Sequence, residues 1–389
     1  MEEEPRTSSP LQGGEHAVPQ GSVLGGLLYI INSNDFPACH EEGDAVVYVD
    51  DDSDTVHSAD PILLQNLITQ EAGNSASWLT DNRLCVAGEK SKLLVIGTRK
   101  LRNQKLLQRM KIQVEGKEIV ETDSEKLLGV VINNELTWKN HLYGDEENEG
   151  LVPQLSKRIG ILKKLSTKMS LEKLKLFASG IFYSKLSYCL PVFGNVFGHD
   201  KYKESNSRYT SYTTSDNNKL QVLQNKLNRL LTGSDRTTST RELLEKSNSL
   251  SIQQMIAFQT VVMTYKILKS RKPTYLSNRI QEKKNSRNQN LIQPNQSLSI
   301  SKEGFINRGL TLMNMLDVSL RCEPRLDQFK AGLRKWVKIN IQIKPTSKFP
   351  ALGRGAGRPP PPPPPAPGLP TVPALNLITN YFQAQHSNY

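Results

Sequence analysis

The chain has little of what staples a small extracellular fold. Four cysteines (Cys39, Cys85, Cys189 and Cys322) are spread over 389 residues with no close pair among them. Without a CxxC pair, or a spaced histidine pair beside a cysteine, neither a disulfide framework nor a zinc knuckle is indicated. A reducing, intracellular setting, nuclear or cytoplasmic, is expected. Long apolar runs are missing too. The most apolar one, Val23 to Ile31, is about half the length that spans a bilayer. Met1-Glu2-Glu3-Glu4-Pro5 lacks the apolar stretch of a signal peptide. No membrane partner is expected. Apolar content is low, at 37%, so the reading is a core surrounded by sizeable polar segments.

What the chain does have is charge, unevenly placed. Residues 1–150 hold 13 Lys+Arg against 26 Asp+Glu, whereas residues 151–350 hold 35 against 12. An acidic half followed by a basic half suggests two roles, the second facing a polyanion. A set of solvated helix faces would give the same counts and stays open.

The pattern along the chain sets the organisation. Residues 1–17 are rich in Glu, Pro, Ser and Gly and read as a disordered leader. Residues 18–145 have α/β texture. Ala45 to Val49 reads as a short buried strand, and Leu93 to Gly97, Ile112 to Val120 and Leu127 to Ile132 as further strands. Ile62 to Leu79 has helical spacing. Residues 146–200 turn helical and basic, with Leu155, Ile159 and Leu162 at i, i+4, i+7 and Lys157, Arg158, Lys163, Lys164 and Lys168 around them. These five cations are the candidate nucleic-acid contacts, expected to project together away from the apolar stripe. Residues 201–217 read as a linker. Residues 218–345 read as a helical region, with Gly233 as a C-cap and capping-box spacing at Ser239/Glu242 and Ser251/Gln254. Residues 346–389 read as a proline-rich disordered tail, dispensable for folding, whose unbroken run Pro359 to Pro365 cannot join a helix or a sheet interior. A proline-reading module could bind that run, although nothing else in the sequence supports one.

The sharpest local feature is Tyr48-Val49-Asp50-Asp51 behind an apolar strand. Adjacent carboxylates at the end of a buried strand are costly unless a cation neutralises them, and phosphoryl-transfer sites use such pairs to hold Mg²⁺. An exposed acidic turn fits the tetrapeptide as well, since Asp52 and Asp54 continue the run. A calcium loop starting at Asp50 fails, with Thr55 where glycine is needed and Pro61 where glutamate is needed.

Several segments in order carry a resemblance. They are Val18-Pro19-Gln20-Gly21-Ser22, Asn34-Asp35-Phe36-Pro37, Tyr48-Val49-Asp50-Asp51, Trp78 to Leu84, Glu89-Lys90-Ser91-Lys92, Leu128 to Ile132, and Thr137-Trp138 with His141. Together they resemble the signatures of non-LTR retrotransposon reverse transcriptases. The resemblance implies an α/β (α+β) incomplete polymerase palm, then an all-α basic thumb and a helical C-terminal region, with disordered termini. It implies RNA-directed DNA polymerase chemistry on an RNA template and DNA primer, with deoxynucleotides and Mg²⁺. Asp50 and Asp51 match the catalytic, metal-binding acids, Asp50 as the direct ligand. Gln20 and Gly21 match the loop against template and incoming nucleotide. Lys90 matches a lysine near the leaving pyrophosphate, although a solvated lysine fits as well. Leu128 to Ile132 match a hairpin that supports the primer end, and the apolar run after Gly21 suits a buried helix.

Two departures stand out. Gly26 replaces a usual proline. The strand with the family's first catalytic aspartate, and the fingers ahead of it, have no counterpart in the 17 residues before Val18. The palm is therefore expected to lack a strand and a metal ligand, and the isolated chain to be inactive. The competing expectation is a non-enzymatic, basic nucleic-acid-binding relic of a mobile element.

Overall fold

A computed structural model describes residues 22–49, 51–87, 90–97, 109–196, 214–282, 291–292 and 304–341, and the backbone of 375–386. Its fold is mixed α/β. The chain divides into two compact units, one of residues 1–125, 133–136 and 364–389, the other of residues 126–132 and 137–363. The expected leader (1–17), Gln20, Gly21, Asp50 and the proline run lie outside the described residues.

The first unit opens with α1 (Gly25–Asn32) and a 3₁₀ turn (Phe36–Cys39), then hairpin β1 (Asp44–Tyr48) and β2 (Asp51–Thr55) and the short β3 (His57–Ser58). Helix α2 (Pro61–Asp81) follows, with β4 (Leu84–Val86), β5 (Leu93–Ile96), β6 (Lys111–Val114) and β7 (Lys117–Thr122). Helix α2 starts where its sequence says it should. Asp60 caps it by accepting from the Ile62 amide at 2.9 Å, and Pro61 sits in the first turn. Its Leu64, Ile68, Ala72, Ala76 and Leu79 stripe is buried with Leu93, Val95, Ile112 and Ile119.

Three expectations for this unit change. The apolar segment Ile112 to Val120 is a hairpin, turned by Glu115 and Gly116, both at positive φ, a two-residue turn that suits strand twist. The strand read as buried, β1, is exposed at Asp44, Val46 and Tyr48, and β2 buries residues instead. Helix α1 buries none of its side chains, and Leu24, Leu27, Leu28, Ile30 and Ile31 are exposed.

After a second hairpin, β8 (Ser124–Leu127) and β9 (Val130–Asn133), the other unit is helical. It begins with α3 (Lys139–Tyr143), α4 (Leu151–Leu165), α5 (Leu171–Ala178), a π-type turn (Ser179–Tyr183), α6 (Ser184–Ser187) and α7 (Leu190–Phe193). It continues with α8 (Thr214–Thr232), α9 (Thr240–Lys246), α10 (Ile252–Ser270) and α11 (Thr274–Ser277). A short β10 (Gln281–Glu282) pairs with β11 (Leu291–Ile292), and α12 (Phe305–Asn314), α13 (Val318–Arg321) and α14 (Leu326–Asn340) complete it. Helix α8 begins inside the segment read as linker, with Asp216 in its first turn favouring its N-terminus. Gly233 follows α8 at positive φ, and Ser251 with Gln254 completes its capping box. Ser239 caps α9 through the Glu242 amide alone.

Leu155, Phe182, Leu227, Ile256, Leu310 and Phe329 share one core, so segments read as thumb and as C-terminal region pack as one body. Gly309 is required where α12 meets α10, because a Cβ there would lie 2.2 Å from Thr264 Oγ1. Among the described residues one helical stretch, Leu171–Phe193, has the length and apolarity to cross a bilayer. Its Leu174, Ala178, Phe182, Leu186 and Leu190 recur every four residues and lie in that core.

The last element corrects the reading of the tail. Residues Leu375–His386 form β12, the longest strand of the sheet. The sheet order is β1-β2-β12-β5-β7-β6, with β3 and β4 also paired to β12. Phe382 pairs with Asp52 and Ile378 with Leu94, both antiparallel, whereas β5 and β7 run parallel. The proline run that suggested disorder ends ten residues earlier. The proline-free Leu-Asn-Leu-Ile-Thr-Asn-Tyr-Phe that opens β12 is rich in strand formers.

Candidate functional site

The acidic hairpin positions the site. Tyr48 pairs with Asp51, and Val49 follows β1 in the turn. Val49 sits at φ 59°, which a β-branched residue rarely adopts, so the turn is strained at this motif. Asp51 opens β2 half-buried, and beyond it the strand alternates, with Asp52 and Asp54 on the buried face beside Val56. Of the two acids expected to hold metal, Asp50 lies outside the described residues. The buried acids are the next two.

Asp52 and Asp54 meet His40, which follows the 3₁₀ turn. His40 Nε2 lies 2.7 Å from Asp54 Oδ1. Ser75 of α2 donates to Asp54 Oδ2 at 3.0 Å and lies equally far from His40 Nε2. One ligand atom from each of His40, Asp52 and Asp54 lies within 4.8 Å of the other two. Phe36 packs edge-on to the His40 ring, with centroids 5.3 Å apart. Glu71, fully buried on α2, accepts the amides of Glu41 and Glu42 and so anchors the loop that follows His40.

The electrostatics follow from burial. Burial first, and then Asp54, push the Asp52 carboxyl up to about 9, the Ser53 amide opposing least. Neither Asp52 oxygen has a hydrogen-bond partner of ordinary geometry among the described residues. Burial would lower His40, but its bond to Asp54 and the fields of Asp54 and Glu71 raise it. Burial and the same carboxylates push the Cys39 thiol up to about 11, so it is no thiolate nucleophile.

This cluster went unread in the sequence, although the signals were there. In β2 the i, i+2 register places Asp52 and Asp54 with Val56. In α2, Glu71 and Ser75 fall inside the stripe Ile68, Ala72, Ala76, Leu79. The donor set does not suit Mg²⁺, which prefers oxygen ligands in an octahedron, because His40 supplies nitrogen. The expected Mg²⁺ pair, Asp50 with Asp51, is a separate matter, because Asp50 lies outside the described residues.

The five cations divide. Lys163, Lys164 and Lys168 are exposed. Lys157 is exposed but pairs with Glu149 at 2.8 Å. Arg158 does not join them, since it is part-buried and donates to the Ile181 carbonyl across the π-type turn. The reason is its position, three residues after Leu155 and four before Leu162, on the apolar stripe itself. Lys90 is exposed, and its amide bonds to the Ala87 carbonyl. At the β8–β9 turn Leu128 and Gly129 take positive φ, and Tyr188 donates to the Leu128 carbonyl at 2.7 Å. His141 accepts the Val131 amide at 3.4 Å.

No family model, no curated protein and no solved structure matches this chain.

Proposed function

We propose that this chain derives from the palm and thumb of a non-LTR reverse transcriptase, and that its 389 residues bind nucleic acid without extending a primer. Support for the origin is the ordered set of motifs together with a hairpin that opens β2 at Asp51. One observation carries the lack of catalysis. Strand β2 is hydrogen-bonded to β1 and to β12. The one acid of β1, Asp44, pairs with Thr55 at the end of the hairpin away from Asp51, and the sequence of β12 from Leu375 to His386 contains no Asp or Glu. Two-metal phosphoryl transfer needs carboxylates converging from neighbouring elements, and neither neighbour brings one beside Asp51. Binding rests on the excess of Lys and Arg in residues 151–350 and on the open Lys163, Lys164 and Lys168 of the helical unit. An RNA template, a DNA primer and deoxynucleotides are the partners that the origin implies.

Primer extension on an RNA template with Mg²⁺ tests the reading. No template-dependent product is expected. Incorporation that disappears in Asp50→Ala would overturn the non-catalytic part and return the chain to the polymerases.

A further inference from the structure

The buried cluster beneath the hairpin takes no part in that reading, and a metal site there stands or falls separately from it. We propose that His40, Asp52 and Asp54 bind one divalent transition ion of the zinc type, tying the loop after the 3₁₀ turn to β2. Three side chains from two elements converge, and their ligand atoms all lie within 4.8 Å of one another. Asp52 gives the independent sign of a missing partner. It is 5% exposed, no donor of ordinary geometry reaches either oxygen among the described residues, and the group against it is the Asp54 carboxyl. Buried polar groups are almost always satisfied, and two buried carboxyls set against each other call for a cation.

The chemistry of the donors selects the ion. One imidazole nitrogen and two carboxylates suit zinc and its neighbours, with an open fourth position, whereas magnesium and calcium take oxygen sets. Bonds of about 2.0–2.2 Å would place tetrahedral ligands roughly 3.4 Å apart. The His40–Asp54 contact of 2.7 Å would then open by less than about 1 Å, and the three ligand atoms already lie within 4.8 Å of one another. The surrounding shell is already built. Ser75 holds Asp54, Phe36 packs against the His40 ring, and Glu71 grips the following loop.

The test uses the full chain, stripped with EDTA and titrated with Co²⁺, followed by visible absorption and competition with Zn²⁺. The expected result is one saturable equivalent with the bands of low-coordinate Co²⁺, displaced by Zn²⁺ and not by a large excess of Mg²⁺. Asp52→Asn keeps the shape of the side chain and is expected to weaken binding roughly tenfold or more, at least what loss of a supporting residue does. His40→Gln should do the same, and Glu118→Gln, on the exposed side of β7, should leave binding intact. Should His40→Gln fail to fold, Asp52→Asn, checked by circular dichroism, decides alone. No saturable equivalent, unchanged binding in folded Asp52→Asn, or loss in Glu118→Gln would each overturn the proposal.

Discussion

The two units bury different kinds of polar group. The helical unit buries amides and pairs most of them, Asn228 Nδ2 being an exception. Gln224 donates to the Leu250 carbonyl at 2.8 Å, Asn225 to Thr240 Oγ1 at 2.8 Å, and Asn217 to the Asn195 carbonyl at 3.2 Å. The sheet unit buries carboxylates, of which Glu71 accepts two backbone amides whereas Asp52 faces another carboxylate, that of Asp54. A satisfied amide fixes one arrangement of helices and is inert. A carboxylate set against another weakens the fold and keeps a site open. The difference separates a scaffold from a site before any activity is known.

The largest expected effect comes from removing β12. A chain ending at residue 374 loses the strand that joins β2 to β5. Hydrogen exchange at Asp54 and Val95 is expected to rise to loop-like rates, while α10 and α14 stay protected. Unchanged protection in β2 and β5 would make the tail dispensable, as its proline run first suggested.

Next is acid sensitivity in the helical unit. Burial, and then Lys185, hold His141 down at about 4. Its folded value lies below its unfolded one of 6.5, so the neutral ring is the stable form. Its contribution is complete above pH 6.5 and is lost as pH falls towards 4. At about 1.4 kcal/mol per pH unit this amounts to at most about 3 kcal/mol. Urea melts at about pH 7 and about pH 4.5 should show the loss, and His141→Gln should remove most of it. An equal loss in His141→Gln would assign the acid sensitivity elsewhere.

The amides and carboxylates give smaller effects of opposite sign. Gln224→Ala leaves the Leu250 carbonyl unpaired and should destabilise by about 1–3 kcal/mol. Asp52→Asn removes a buried acid and, in metal-free buffer, should stabilise by about 1 kcal/mol. Thermal melts of the two variants test the contrast, and destabilisation by both would erase it.

How much of this was legible depended on which signal was strongest at each residue. Helix α2 was readable because Asp60, Pro61 and the Leu64–Ile68 spacing agree. The capping box at Ser251 was readable for the same reason, since two side chains satisfy each other's amides. The buried acids were hidden because Asp50 to Asp54 reads as an exposed run unless strand alternation is applied across it. Arg158 was misplaced because charge was weighed before its register with Leu155 and Leu162. Strand β12 was missed because the proline run dominated the composition of its neighbourhood. Its partners in β2 lie far away along the chain, and such distant pairing leaves no local trace in sequence.

The central claim, electrostatic binding by the helical unit, is tested most directly by a salt titration. Full chain and duplex DNA are measured from about 50 to 200 mM salt, with and without Lys163→Glu and Lys164→Glu. Each neutralised phosphate contributes roughly −0.9 to the slope of log affinity against log salt. The account predicts a steep slope that the double variant flattens by roughly 1.8, with RNA weakened alongside DNA. Binding indifferent to salt, or a slope that the two substitutions leave unchanged, would contradict it.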